Sequence, residues 1–87
     1  MSYKIVLTRS AEKEYAHLLK TNRNIFERVR TALHGLSLDP SQGKPLKMSL
    51  KGLRSYRVGM YRIIYSIEHK LLIVLVLDIG HRRDIYT

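Results

Sequence analysis

The chain has 87 residues, enough for one small hydrophobic core and too few for two ordinary domains, so we expect a single domain over residues 1–87. It contains no Cys, which excludes a disulfide-stapled scaffold, a Cys nucleophile and a Cys-based zinc site. The formal net charge of +9 favours an anionic partner. The longest apolar run, 71–77, is too short for a membrane span, and the N-terminus lacks a signal-peptide pattern. We therefore expect a cytoplasmic protein with no membrane contact.

The N-terminal part of the chain predicts a strand followed by a helix. Residues 3–8 are rich in β-forming side chains, which favours a short strand. Thr8 and Ser10 are both suitable N-cap residues for a helix over 10–20. Apolar residues recur there at helical spacing and predict the buried side, which comprises Ala11, Tyr15, Leu18 and Leu19.

A second helix is predicted after a turn at 21–23. Asn24 followed by Glu27 resembles a capping box, and Asp39-Pro40 marks the end because proline disfavours helical geometry in the residue before it. Two helices joined by so short a loop form an antiparallel hairpin. The predicted buried stripe of this helix comprises Ile25, Val29, Ala32, Leu33 and Leu36.

The C-terminal half changes to a pattern typical of strands. Residues 41–53 predict a basic connecting loop with a short strand around 46–48, and 55–67 predict two strands joined by a type II′ turn at Gly59-Met60. The apolar segment 71–79 predicts a central strand buried on both faces. The resulting order is β-α-α-β-β-β. It predicts an α+β fold in which a helical hairpin packs on a mainly antiparallel, twisted sheet.

Positive charge is concentrated in one acid-free segment between residues 44 and 62. Such a segment fits nucleic acid, and it also fits an acidic protein surface; both readings stay open on charge alone. The basic residues concerned are Lys44, Lys47, Lys51, Arg54, Arg57 and Arg62.

The predicted turn fixes which side chains of the hairpin share a face. With Gly59 and Met60 as the turn residues, Arg57 lies directly opposite Arg62, with their Cβ atoms about 4.5–5.5 Å apart. Two like charges at this distance favour an anion between them. The opposite face, expected against the helices, carries Tyr56, Val58, Tyr61, Ile63 and Tyr65.

The C-terminal segment GHRRDIY adds four candidate functional residues: His81, Arg82, Arg83 and Tyr86. A three-residue turn at 68–70 would place Arg82 on the face of Arg62, whereas a two-residue turn would place it on the other face. Asp78 and Asp84 are too few acids for a two-metal site, so we expect no metal and no cofactor.

A basic face of this composition suits cleavage of RNA by its own 2′-hydroxyl. That reaction needs a base at the hydroxyl, charge stabilisation at the phosphate and an acid at the leaving 5′-oxygen. Arginine stabilises charge but is a poor acid, so His81 is the natural proton carrier. Tyr86 can stack on a base, hydrogen-bond the 2′-hydroxyl or act as a base.

The segments LKGLRSYRVGMYRIIYSI and VLVLDIGHRRDIY closely resemble the RelE/ParE toxin superfamily, specifically its RelE branch. The resemblance extends over nearly the whole chain. It implies a RelE-like fold and the activity of a type II toxin, a metal-independent endoribonuclease that enters the ribosomal A site and cuts mRNA there. It also implies an antitoxin partner similar to RelB, which we expect to bind through an acidic amphipathic helix.

The resemblance assigns roles to individual positions. Arg62 corresponds to the arginine that stabilises the phosphate, and Arg57 to a catalytic Lys or Arg. Arg82 corresponds to the arginine at the leaving group, and Tyr86 to the C-terminal catalytic tyrosine. His81 stands where the best-known member has lysine. Lys47 lies in the basic loop of the family. On positive charge, the expected contacts to RNA or the ribosome are Lys44, Lys47, Lys51, Arg54 and Arg83.

Two alternatives share the same fold. The ParE branch inhibits DNA gyrase and lacks the combination of Arg57, Arg62, Arg82 and Tyr86. A catalytically weak member would act only by binding its antitoxin and regulating its own transcription. Replacing Arg62 distinguishes the nuclease from this last alternative, because only a nuclease loses its toxicity.

Overall fold

The structure is a computed structural model that describes residues 2–81, so Arg82, Arg83 and Tyr86 lie outside the described residues. The strands pair in the order β1-β5-β4-β3-β2, with β1 parallel to β5 and the other pairs antiparallel. This confirms the predicted α+β class and mainly antiparallel sheet. The elements are β1 (Lys4–Leu7), α1 (Arg9–Thr21), α2 (Arg23–Leu38), β2 (Lys44–Pro45), β3 (Arg54–Val58), β4 (Tyr61–Glu68) and β5 (Ile73–His81).

Both helices begin at polar caps. The Thr8 hydroxyl accepts a hydrogen bond from the Ala11 N–H at 3.2 Å and starts α1. The cap of α2 is Asn22, whose Oδ1 accepts from the Ile25 N–H at 3.2 Å, so the predicted Asn24 cap is wrong. Asn22 also ends α1, because its own N–H bonds the Leu18 carbonyl. One residue therefore joins the two helices.

The helical hairpin packs on one face of the sheet. Tyr15 of α1 stacks on Phe26 of α2, with ring centroids 4.6 Å apart. In the described part of the chain, neither helix is long and apolar enough to cross a membrane. The buried core combines both helices with alternate residues of the strands: Ala11, Leu18, Val29, Leu33, Leu36, Val58, Ile63, Tyr65, Val74, Val76 and Ile79.

The prediction that the apolar segment 71–79 is buried on both faces is wrong. Val74, Val76 and Ile79 are buried in the core, whereas Ile73 and Leu75 are only half-buried. The two helices form a single layer over the sheet, so in the described residues no second layer covers the other face. We call this uncovered side the open face.

A β-bulge in β5 keeps its apolar side chains in register with the core. Ile64 is opposite Asp78, but the next residue, Tyr65, is opposite Val76, so Leu77 is the extra residue. Thr8 fixes this point, because its N–H bonds the Val76 carbonyl and its hydroxyl donates to the Leu77 carbonyl at 2.9 Å. The turn before β5 has four residues, 69–72, rather than two or three.

The connecting loop differs from the prediction. The strand expected around 46–48 is instead β2, two residues earlier, and a 3-10 turn follows it at Met48–Leu50. Tyr65 holds the start of this loop. Its hydroxyl donates to the Pro40 carbonyl at 2.6 Å and accepts from the Gly43 N–H at 2.9 Å. Burial raises the pKa of this tyrosine above the usual 10.0.

Candidate nucleic-acid interface

The hairpin of β3 and β4 places two arginines side by side. Val58 pairs with Tyr61 and Arg57 pairs with Arg62, which confirms the predicted register. Gly59 occupies the first turn position with φ 59°, as a type II′ turn requires. Because the core residues of the hairpin alternate with these arginines, Arg57 and Arg62 both lie on the open face.

The two guanidinium groups are held differently. Arg62 is half-buried, and its Nη1 donates to the Ser55 hydroxyl at 3.2 Å. Arg57 is exposed, and its Nε donates to the Gly59 carbonyl at 3.3 Å, next to it in the turn. One arginine is therefore anchored to the sheet, while its partner extends along the tip of the hairpin. An anion between them would bind one fixed and one adjustable group.

Lys44 adds a third positive charge to the open face. It pairs with Ser55, and residues directly opposite each other in an antiparallel pair share a face. Asp78 is the neighbouring acid on this face, because it pairs with Ile64. Its carboxylate accepts a hydrogen bond from the Ile79 N–H at 3.0 Å. Positive charge therefore predominates around Arg57 and Arg62.

The bulge in β5 also shapes the surroundings of Arg62. It places Gly80 directly opposite Arg62. Without the extra residue, alternation would place Ile79 there and remove it from the core. A glycine has no side chain, so β5 adds no side chain to the open face directly opposite Arg62.

Two predicted site residues lie on the helix-covered face instead. His81 pairs with Tyr61, and their rings make an edge contact with centroids 5.6 Å apart. Arg54 pairs with the core residue Tyr65, and its Nη1 donates to the Gly43 carbonyl at 2.7 Å. The structure therefore does not bring His81 or Arg54 together with Arg57 and Arg62.

The remaining predicted residues are in loops or outside the described chain. Lys47 and Lys51 are exposed on the segment between β2 and β3. That segment is closed by a hydrogen bond from the Leu46 N–H to the Leu53 carbonyl. Arg82, Arg83 and Tyr86 follow the last described residue, so their predicted roles stay predictions.

Sequence reasoning missed a groove between α2 and β3. It has a volume of about 780 Å³, and Arg23, Arg28 and Arg57 contribute its positive charge. Ala32 and Gly35 follow Arg28 at helical spacing, so small residues leave space beside a basic one. The spacing of Arg28, Ala32 and Gly35 at i, i+4 and i+7 could have indicated one wall of the groove. The other wall is β3, which is distant in sequence, so the groove itself could not be predicted from this pattern.

The sequence matches a family of known toxins. Residues 5–86 match the family model described as the ParE toxin of the type II toxin–antitoxin system parDE. Toxin RelG of Mycobacterium tuberculosis is 36% identical over 87 residues, covering 99% of this chain and 98% of RelG.

Solved structures show the same fold. A chain of the RelBE2 toxin–antitoxin complex from Mycobacterium tuberculosis matches with a TM-score of 0.83 and 32% identity, covering 94% of this chain and 93% of that chain. A chain of the RelBE complex from E. coli matches with a TM-score of 0.77 and 19% identity, covering 92% and 96%, which shows the fold alone. The chain therefore belongs to the RelE/ParE superfamily of type II toxins.

Proposed function

We propose that this toxin is a ribosome-dependent endoribonuclease that cuts mRNA in the A site by attack of the RNA 2′-hydroxyl on the adjacent phosphodiester. The observation that carries the proposal is the Arg57–Arg62 pair on the open face. Like charges directly opposite each other destabilise a sheet, and an anion bound between the two arginines relieves this repulsion. A phosphodiester that gains charge during cleavage is such an anion, and preorganised cations stabilise it most strongly in the transition state.

The proposed roles follow from how each group is held. Arg62, anchored on Ser55, stabilises the phosphate, and Arg57 binds a second phosphate oxygen. Proton transfer is assigned to Tyr86, and charge at the leaving oxygen to Arg82, as the resemblance to RelE suggests; His81 lies against Tyr61 on the helix-covered face and is given no catalytic role. Contacts to the RNA backbone are assigned to Lys44, Lys47, Lys51 and Arg83.

The partner proposed for this chain is an antitoxin. The RelBE2 structure from Mycobacterium tuberculosis, to which this chain is 32% identical, is a toxin–antitoxin complex. The groove between α2 and β3 supports the proposal, because it combines apolar side chains with a basic rim. An acidic amphipathic segment has the complementary charge and the complementary apolar side.

The proposed activity is tested by primer extension on a defined mRNA with purified ribosomes. Wild-type protein should cut within the A-site codon only when ribosomes are present, and Arg62→Ala should not cut. Arg30→Ala is the matched control, because it removes an exposed arginine from the outer side of α2. The absence of ribosome-dependent cuts with wild-type protein would contradict the nuclease.

The second candidate function is inhibition of DNA gyrase. The match of residues 5–86 to the ParE toxin model favours it. A gyrase supercoiling assay separates the two, because a nuclease leaves supercoiling unchanged whereas a ParE-like toxin stops it. A chain inactive in both assays that still binds its antitoxin would be a binding and regulatory member.

A further inference from the structure

Strand β3 has a free edge beyond the end of β2. The two strands pair only at Lys44–Ser55 and Pro45–Arg54. On the N-terminal side of Lys44, the chain leaves the sheet through the 3-10 turn Pro40–Gln42, where the Gln42 N–H bonds the Asp39 carbonyl. In the described part of the chain, no strand therefore lies beside residues 56–58 of β3 on this side.

The hairpin turn determines which backbone groups face that edge. A two-residue turn is closed by a hydrogen-bonded pair, here Val58 and Tyr61. Hydrogen-bonded and non-hydrogen-bonded pairs alternate, so Arg57 and Arg62 form a non-hydrogen-bonded pair. The N–H and C=O of Arg57 consequently point away from β4 and toward the free edge. Arg57 is two residues beyond Ser55, the last residue of β3 that pairs with β2 on this side.

The groove between α2 and β3 opens along the same edge. Ala32, Tyr56 and Val58 give it apolar lining, while Arg23 and Arg28 supply positive charge. The Arg28 guanidinium lies at the hairpin tip, since a Cβ on Gly59 would be 3.1 Å from its Nη1.

Little negative charge offsets these arginines. Glu27 also lines the groove, but its carboxylate is within 3.7 Å of Arg23 and 3.3 Å of Arg30. The occupant that fits is therefore an extended peptide with alternating acidic and apolar side chains, rather than a neutral or basic one.

We propose that an extended segment of the antitoxin adds a strand to the free edge of β3, in line with β2. It hydrogen-bonds the N–H and C=O of Arg57, inserts apolar side chains beside Ala32 and Val58, and places carboxylates on Arg28 and Arg57. This inference rests on the proposed antitoxin partner and specifies how that partner binds. It also explains neutralisation, because the added strand takes the Arg57 guanidinium away from the RNA.

The test is amide hydrogen exchange, measured by NMR on the toxin alone and bound to the product of the adjacent open reading frame. Exchange at the Arg57 amide should slow by about 100-fold or more in the complex. The amides of Ile5 and Leu7 are the internal control, because parallel pairing directs them to the outer edge of β1. Protection at β1 with none at Arg57 would overturn the proposal.

Two further measurements exclude other occupants of the edge. Protection by a single-stranded RNA oligonucleotide, with none from the antitoxin, would assign the edge to nucleic acid. Protection that increases with the concentration of toxin alone would assign it to a second copy of this chain. Either result overturns the proposal.

A charge substitution adds a binding readout. Arg28→Ala should weaken the complex about 10-fold in calorimetry, whereas Lys13→Ala, an exposed cation of α1 outside the groove, should leave it unchanged. Equal effects of the two variants would contradict binding of the antitoxin in the groove.

The outcomes separate this inference from the function on which it rests. If gel filtration shows no complex, the antitoxin proposal fails and this inference fails with it. If a complex forms but leaves the Arg57 amide unprotected, only the strand addition fails. Cleavage on ribosomes is measured without antitoxin and does not enter either result.

Discussion

Two arginines of β3, three residues apart, show how the two faces of the sheet differ. Arg54 lies on the helix-covered face, where its Nη1 donates to the Gly43 carbonyl at 2.7 Å and the Ser41 carbonyl at 3.3 Å. Arg57 lies on the open face, is exposed, and bonds only its neighbour Gly59 among the described side-chain contacts. The same residue type therefore fastens a loop on one side and is available to a ligand on the other.

The comparison extends to the rest of the sheet. On the helix-covered face, fully buried residues such as Ile63 and Val76 bring the strands against α1 and α2. On the open face, Ser55 and Ile64 are buried but Arg57 and Lys44 are exposed. Substitutions on the first face should change stability, and substitutions on the second should change activity.

The largest change in stability is expected for Ile63→Ala. Its side chain is fully buried against the helices, so truncation should lower the free energy of unfolding by about 2–5 kcal/mol in urea denaturation. Met60→Ala, in the exposed hairpin turn directly before β4, is the control and should change it little. Equal costs would show that the helix-covered face does not carry the stability.

The largest change in activity is expected on the open face. Arg62→Ala should slow single-turnover cleavage on ribosomes by about 10²–10³-fold, because it removes a positioned charge from the phosphate. Arg62→Lys should recover only part of the rate, since lysine keeps the charge and lacks the planar fork. Full activity of Arg62→Lys would show that only the charge of this residue matters.

Two glycines should respond to alanine with opposite signs. A Cβ on Gly43 would collide with the Tyr65 hydroxyl, so Gly43→Ala should destabilise the protein by about 1–3 kcal/mol. Gly35→Ala should stabilise it by about 0.5–1 kcal/mol, because its Cβ has room on α2 and alanine favours the helix. Urea unfolding measures both, and destabilisation by both variants would contradict this packing.

The smallest expected effect is a loss of stability at alkaline pH. The folded state holds the Tyr65 proton more tightly than the unfolded state, because burial raises the pKa of this residue above 10.0. Its contribution is therefore complete below pH 10 and is lost as pH rises through 10 toward the folded-state pKa. In Tyr65→Phe, the free energy of unfolding, measured in urea, should fall less steeply as pH rises. An unchanged slope would contradict the role of Tyr65.

Local sequence determined the hairpin and its arginine pair. The Gly59-Met60 turn and the alternation of apolar residues fix the register that places Arg57 opposite Arg62. The same alternation pairs Arg54 with Tyr65, so its position on the helix-covered face was predictable. Its inclusion among the RNA contacts followed charge alone.

Other features depend on contacts between distant segments. The bulge at Leu77 is fixed by Thr8, and it decides that Gly80 faces Arg62 while His81 faces Tyr61. No pattern within β5 indicates an extra residue there. The position of β2 likewise depends on Tyr65, which holds Gly43 from across the fold.

The central claim is that the helix-covered face of the sheet carries stability and the open face carries activity. A comparison of Arg54→Ala with Arg57→Ala tests this claim most directly. Cleavage rate on ribosomes and urea midpoint should be measured on both variants. We expect Arg57→Ala to cleave more slowly and to unfold at the same urea concentration as the wild type. Arg54→Ala should unfold at a lower urea concentration, and its folded molecules should cleave at the wild-type rate. Arg54→Ala with a normal midpoint and a rate as low as that of Arg57→Ala would contradict the claim.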